Sequence, residues 1–198
     1  MSVPRSCRVL LPALIVLAAL TAPRTARADD SSFVERPFAV GAYASGWAGS
    51  YLAGGLGARL RWQPFAELGF DVFGEGVLVD WPGATRHDWQ VGFDLYVPIR
   101  LGSGVRLRPL FGFCTVLSFI EPPAMHVPRA DDVLFGLHAG IGVEIAIVDP
   151  VSFFADAQGV AWLGHQRTTQ GWTATIEDSY AAFGTARLIV GVQAHIAP

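Results

Sequence analysis

The side chains best suited to proton transfer or metal binding are five histidines, at positions 87, 126, 138, 165 and 195. No two of them follow a metal-ligand spacing such as His-x-x-x-His. No serine sits beside a histidine on one strand face, and Ser118 and His126 are separated by a proline-rich stretch. His138 reads as a histidine satisfied by hydrogen bonds rather than as a general base. The run Gly54-Gly55-Leu56-Gly57 is not a phosphate loop, because no helix follows it. What remains is charge at alternate positions: Arg59, Arg61, Glu67, Asp71, Asp94, Arg100, Arg106, Arg108, Glu144, Asp156 and Arg187. Six cations and five anions alternating with apolar residues suit ion pairing, not turnover. The sequence therefore offers no catalytic residue, no cofactor site and no metal site.

The elements that position these charges are long strands. Between Asp132 and Gly164 two alternating segments meet at Asp149-Pro150. In the first, Val133, Phe135, Leu137, Ala139, Ile141, Val143, Ile145 and Ile147 share one face, and His138, Gly140, Gly142 and Glu144 share the other. A period of two means β-strand. These run roughly twice the usual 5–6 residues, the length of a tilted membrane-crossing strand. The same alternation predicts further strands over 37–45, 50–62, 65–74, 87–100, 105–118 and 180–196, for eight in all. Pro109 interrupts one of them and should break pairing locally, since it cannot donate to a ladder. A short connection at 46–49 and tight turns at Gln63, Gly102 and Asp149 alternate with longer loops over 75–86, 119–131 and 165–179.

Composition agrees. Apolar residues make up 52% and charged residues 16% of the 198-residue chain, against about 25% charged in ordinary soluble domains. Arg5 and Arg8, the apolar run Val9–Leu20 and the small-residue site Ala26-Arg27-Ala28 form a secretory signal peptide over 1–28. The domain is then 29–198, with Cys114 as its single cysteine and no lysine. Ten arginines against seventeen acids give that domain a charge of −7, which excludes a nucleic-acid partner. After the signal no stretch reaches the roughly 18 apolar residues of a membrane helix, so an exported hydrophobic chain is left with a closed barrel.

Two barrels could use these strands. A soluble lipocalin-like barrel would turn its apolar row inward around a ligand; a membrane barrel would turn it to lipid. Glycines crowd the charged row (Gly55, Gly57, Gly92, Gly112, Gly136, Gly142), as a packed interior needs. Aromatic residues gather near strand ends, with Trp47, Tyr51, Trp81, Trp89, Phe119, Trp162, Trp172 and Tyr180 toward the long loops and Trp62, Phe65 and Phe153 toward the turns. They suggest two interfacial girdles. Glycines and aromatics together favour the membrane form: an all-β, eight-stranded antiparallel up-and-down transmembrane barrel with a narrow or plugged lumen. With the charges inward, Arg59 should face Glu67 across the Gln63 turn, and Glu144 and Asp156 need an arginine beside them.

The glycine-punctuated strands LAGGLGARLRW and LHAGIGVEIAIV, the signal ending and the eight-strand layout resemble the small OmpA/OmpX-type outer-membrane β-barrel family. The chain departs from that pattern by ending His195-Ile196-Ala197-Pro198 rather than on an aromatic residue. The resemblance implies a monomer in the Gram-negative outer membrane, folded by the barrel-assembly machinery and bathed in lipid and lipopolysaccharide. It implies a structural or surface-interaction role without turnover. A narrow conduit for small solutes and a soluble periplasmic ligand-binding barrel are the alternatives. Loops would carry partner specificity, with Trp81, Met125, His126 and Trp172 as contact candidates.

Overall fold

Strands with one apolar and one charged face need two different surroundings, and a closed sheet supplies them. The computed structural model describes residues 36–49, 52–81, 84–102, 104–121, 130–169 and 176–196. It contains nine strands: β1 Phe38–Ala48, β2 Leu52–Trp62, β3 Gly69–Trp81, β4 Ala84–Tyr96, β5 Ile99–Gly102, β6 Val105–Glu121, β7 Ala130–Val148, β8 Val151–Thr169 and β9 Ile176–Ile196. Neighbours pair antiparallel and β9 closes on β1. Strands β4 and β5 both lie along β6, so they are one stave interrupted at Val97-Pro98, and the wall has eight staves. The interruption sits opposite Pro109. The β4 ladder stops at Tyr96↔Leu110, Val97 N donates to Pro109 O at 3.1 Å, and pairing resumes at Ile99↔Leu107. Two prolines without N–H groups meet there, which explains the expected break. On its other side, β6 runs past Pro109↔Ile141 in unbroken register with β7.

The register fixes the barrel's shape. Following directly paired residues from Phe38 through Trp62, Phe70, Leu95, Phe111, Ala139, Gly159 and Ala186 returns to β1 at Ala48, ten residues higher. A stagger of ten over eight staves corresponds to a strand tilt of about 40°, at normal strand spacings. Eight staves at this tilt enclose a space that side chains can fill.

Several expected loops are strand. The stretch 75–86 is not a long loop: β3 continues to Trp81 and β4 begins at Ala84. The 165–179 loop contracts because β8 reaches Thr169 and β9 starts at Ile176, and β6 and β7 likewise extend into 119–131. Strand β1 reaches Ala48, through the expected connection at 46–49. In the 75–86 stretch the cause is visible: the inward–outward alternation persists through Glu75, Gly76, Val77, Leu78 and Val79, although glycine and polar residues there look like loop in sequence. The turn after β2 errs the other way, occupying 63–68 before β3 starts at Gly69. The 75–86 correction also weakens the expected alternation of short and long connections.

The apolar row faces out. Leu52, Leu56, Leu78, Trp89, Val91 and Val133 are all more than half exposed, while Arg61, Asp71, Arg108, Glu144 and Asp156 are buried within the barrel. A lipocalin-like barrel needs the reverse, so that alternative does not fit. No helix among the described residues is long and apolar enough to cross a membrane. Along the outer wall Trp62, Phe70, Phe93, Phe113 and Phe135 form a continuous rib of rings with centroids 5.6–6.1 Å apart. If hydrocarbon covers this wall, Val91→Arg should destabilise the barrel by about 2–4 kcal/mol, whereas arginine at Leu101, beside the tight turn, should cost only about 0–1 kcal/mol. Urea titrations of both variants in lipid vesicles test this. Equal, negligible costs would mean that the wall does not face hydrocarbon.

Candidate functional site

The inward faces of eight staves converge on the lumen, and the charges they carry are arranged in layers. The lowest layer lies near the turns at 63–68 and 149–150. Arg61 and Asp71 are direct partners across β2 and β3. The guanidinium donates from Nε and Nη2 to the two carboxylate oxygens at 2.8 and 2.9 Å, a bidentate pair. Its Nη1 reaches Glu144 Oε2 at 2.6 Å. Asp156 is held by Arg59 Nη1 at 3.0 Å and Arg108 Nη2 at 2.5 Å. Arg108 and Asp156 both flank Gly142 in the register. A Cβ at Gly142 would run into Asp156 Oδ1 and come within 3.1 Å of Arg108 Nη2, so glycine there lets the pair close. Glu144 Oε1 also accepts from Gln193 Nε2 at 2.6 Å and Ser152 Oγ at 2.9 Å, and lies 3.1 Å from His195 Nε2. The Arg59 guanidinium stacks on Phe154, and that of Arg61 lies 4.7 Å from the Tyr96 ring.

Midway up, His138 Nε2 contacts Asp94 Oδ1, and the imidazole lies edge-on to Phe73. Gly112 makes room for this pair, since a Cβ there would strike the Phe93 carbonyl as well as both side chains. Higher still, Glu75 is surrounded by donors: Ser45 Oγ, Trp47 Nε1 at 3.1 Å, Tyr43 OH at 3.4 Å and Arg187 Nη2. Arg187 itself lies within 5 Å of the Trp47 and Phe73 ring centroids. At the far end Arg86 Nε donates to Asp88 Oδ1 and its Nη2 to Ser118 Oγ, both at 2.8 Å. Around these polar groups Trp47, Val77, Val79, Val116, Leu134, Val160 and Trp162 form an apolar cluster.

Among the described residues the buried charges balance. Arg59, Arg61, Arg86, Arg106, Arg108 and Arg187 face Asp71, Glu75, Asp88, Asp94, Glu144 and Asp156. Burying a charge costs several kcal/mol unless it is paired, so this equality is what a dry lumen requires. Of the residues singled out from sequence, Arg59, Arg61, Asp71, Asp94, Arg106, Arg108, Glu144, Asp156 and Arg187 all lie inside. Arg106 donates from Nη1 to Gln63 Oε1 at 3.4 Å.

Glu67 does not lie inside: it is exposed on the turn, because β3 begins two residues later than its position. That delay also moves Arg59 opposite Phe73 instead of Glu67. Arg100 is exposed at the rim, on β5 beyond the Pro98 interruption. Trp47 and Trp162 are not girdle residues but are buried in the lumen, in phase with Ser45 and Asp156 on their strands. Of the loop candidates, Trp81 ends β3, while Met125, His126 and Trp172 lie outside the described residues, as does the expected signal peptide. Sequence reasoning missed Glu75, Arg86 and Asp88, because Glu75 and Arg86 fell in an expected loop and Asp88 just beyond it. It also passed over Gln158 and Gln193, which continue the inward rows of β8 and β9.

The lumen does bring a serine and a histidine together. Ser152 Oγ lies 3.0 Å from His195 Nε2. Glu144 touches the same nitrogen. A nucleophilic triad needs the acid on one imidazole nitrogen and the serine on the other, so this cluster is not one. No group of three potential metal ligands occurs among the described residues. Cys114 is a fully buried free thiol in the apolar cluster.

No protein-family model matches the sequence, and no curated protein matches it. Solved structures do match the fold. Neisserial surface protein A superposes with a TM-score of 0.54 at 15% identity, covering 81% of this chain and 97% of that one. A major outer membrane protein from Thermus thermophilus gives 0.50 at 12% identity, covering 80% and 99%. With its closed eight-stave wall, outward apolar face and inward charges, this chain has the fold of the small eight-stranded outer-membrane β-barrels.

Proposed function

We propose that the chain is a non-enzymatic barrel of the bacterial outer membrane, with a structural or surface-interaction role and a charge-paired, largely plugged lumen. One observation carries the reading: among the described residues, six buried cations and six buried anions lie inside a wall whose outer face is apolar. An ion crossing such a lumen must part these pairs and shed its own water, each at a cost of several kcal/mol. Residues 1–28 direct export, the termini and the 63–68, 103–104 and 149–150 turns face the periplasm, and the opposite end faces outward. Strand lengths support that orientation. About 9–11 residues suffice to cross, yet β7, β8 and β9 run 19 to 21 residues and project at the end away from the termini. Their tips are polar in sequence (His165–Thr169 and Glu177–Ser179) and set Arg167 opposite Asp178. Partners are then the lipid and lipopolysaccharide around the wall, the assembly machinery during folding, and surface partners at the outer end. Trp81, Met125, His126 and Trp172 are candidates for that contact.

Planar-bilayer recording from the folded monomer tests the plug. The expected record shows no stable, large conductance; a steady large-conductance state would overturn the plugged reading in favour of a conduit. Fractionation tests the location: recovery in the outer membrane, with gel mobility that changes on boiling, is expected. Recovery from the soluble periplasm would overturn it.

A further inference from the structure

High in the lumen lies a cavity of about 30 Å³, walled by apolar side chains on most sides and by Asp88, Gln90 and Thr185 on the rest. Gln90 is 2% exposed, and its Nε2 makes no hydrogen bond of ordinary geometry among the described residues; the Cys114 thiol beside it is only a weak acceptor. An amide left this way costs about as much as a lost hydrogen bond, so something must accept from it. Thr185 Oγ1 already accepts from Trp162 Nε1 at 2.9 Å, which leaves the hydroxyl proton to be given. Asp88 Oδ1 takes one bond from Arg86 Nε, but a carboxylate has about four acceptor sites. The wall therefore offers two donors and an acceptor.

We propose that this cavity is a built hydration site holding one or two water molecules. Water accepts from Gln90 Nε2 and from the Thr185 hydroxyl, and donates to the Asp88 carboxylate. The volume suffices, since a water needs about 10–15 Å³ of such space and two to four polar partners. Charge argues for a neutral occupant: the Asp88 carboxylate repels an anion, and the Gln90 N–H group repels a cation. An all-apolar void of this size would stay empty, but here the polar groups converge on it. The inference stands whether or not the barrel resides in the outer membrane.

A double-mutant cycle on the full barrel in lipid vesicles tests it. Ala53 lines the cavity, so Ala53→Val fills it and displaces the water. With Gln90 present, the orphaned amide should lower the folding equilibrium constant roughly 5- to 150-fold, the range for an unsatisfied buried donor. In the Gln90→Leu background, the same Ala53→Val change should be neutral or favourable. Equal effects in the two backgrounds would overturn the proposal, and so would xenon entering the wild-type cavity. Should a variant fail to fold, the wild-type protein decides: magnetisation transfer from long-lived water to the Gln90 side-chain amide is expected, and its absence refutes the site.

Discussion

Replacing Arg61 by leucine is expected to destabilise the folded barrel by about 3–5 kcal/mol, the cost of stripping a buried pair of one partner. Arg61 is the hub of the lower layer, bidentate to Asp71 and bonded to Glu144. Removing it strips Asp71 of its bidentate partner and Glu144 of its 2.6 Å donor, in a region sealed from water. Arg59 and Arg108 lie 3.6 and 3.4 Å from Asp71, so they soften the loss without cancelling it. Glu144 keeps its bonds to Ser152 and Gln193. The companion variant, Arg61→Leu with Asp71→Leu, removes both halves of the bidentate pair. It should be more stable than the sum of the single changes, by about 0.5–3 kcal/mol of coupling. Urea titration in vesicles gives all three values. If the two changes simply add, Arg61 is not compensating Asp71.

The outer wall was legible because its rule is local. Each strand turns one parity of residues outward, and in β7 that parity is wholly apolar from Val133 to Ile147. Eight staves, their order and the outward row all follow from this alternation. Strand ends were less legible, because glycine has two meanings. In GFDVFGEGVLVD the expected strand stops at Gly74, yet Gly74 and Gly76 both occupy outward positions while Phe73, Glu75 and Val77 continue the inward parity of Asp71. Breaking the pattern there hid Glu75, and with it the partner of Arg187.

Pairings were the least legible, because they depend on register, and a turn sets register. A tight turn centred on Gln63 puts Glu67 opposite Arg59; the observed turn over 63–68 puts Asp71 opposite Arg61. Longer-range contacts need the whole closed barrel. Arg59 meets Asp156, 97 positions away, only because a stagger of ten brings β8 to the same height as β2. The small residues between them are the readable trace of such contacts. Gly142 sits where Arg108 and Asp156 must close, so glycine on a charged row marks where side chains cross the lumen.

The upper layer should be less forgiving than the lower one. Glu75→Leu is expected to cost about 3–5 kcal/mol, at the high end of that range, because it strands the Arg187 guanidinium. Arginine cannot shed its proton inside a protein, so it has no neutral form to retreat to. The remaining contacts of Arg187 are Tyr43 OH at 3.2 Å, Gln158 Oε1 at 3.4 Å and aromatic faces. None of these carries a full negative charge. Among the described residues no second carboxylate reaches Arg187 in the way that Arg108 reaches Asp71. Ring faces return about 2 kcal/mol or more when desolvated, which softens the loss without replacing the missing charge. Ser45 and Trp47 would also lose their acceptor. Glu75→Gln preserves an acceptor for them but not the charge, so it should fall between wild type and Glu75→Leu. The double change Glu75→Leu with Arg187→Leu should recover most of the loss, since an apolar pair of similar volume often replaces a buried ion pair at little cost. Equilibrium unfolding of the four proteins in vesicles decides the matter. Should Glu75→Leu prove as stable as wild type, Arg187 must be reached by water, and the upper lumen would be open rather than filled.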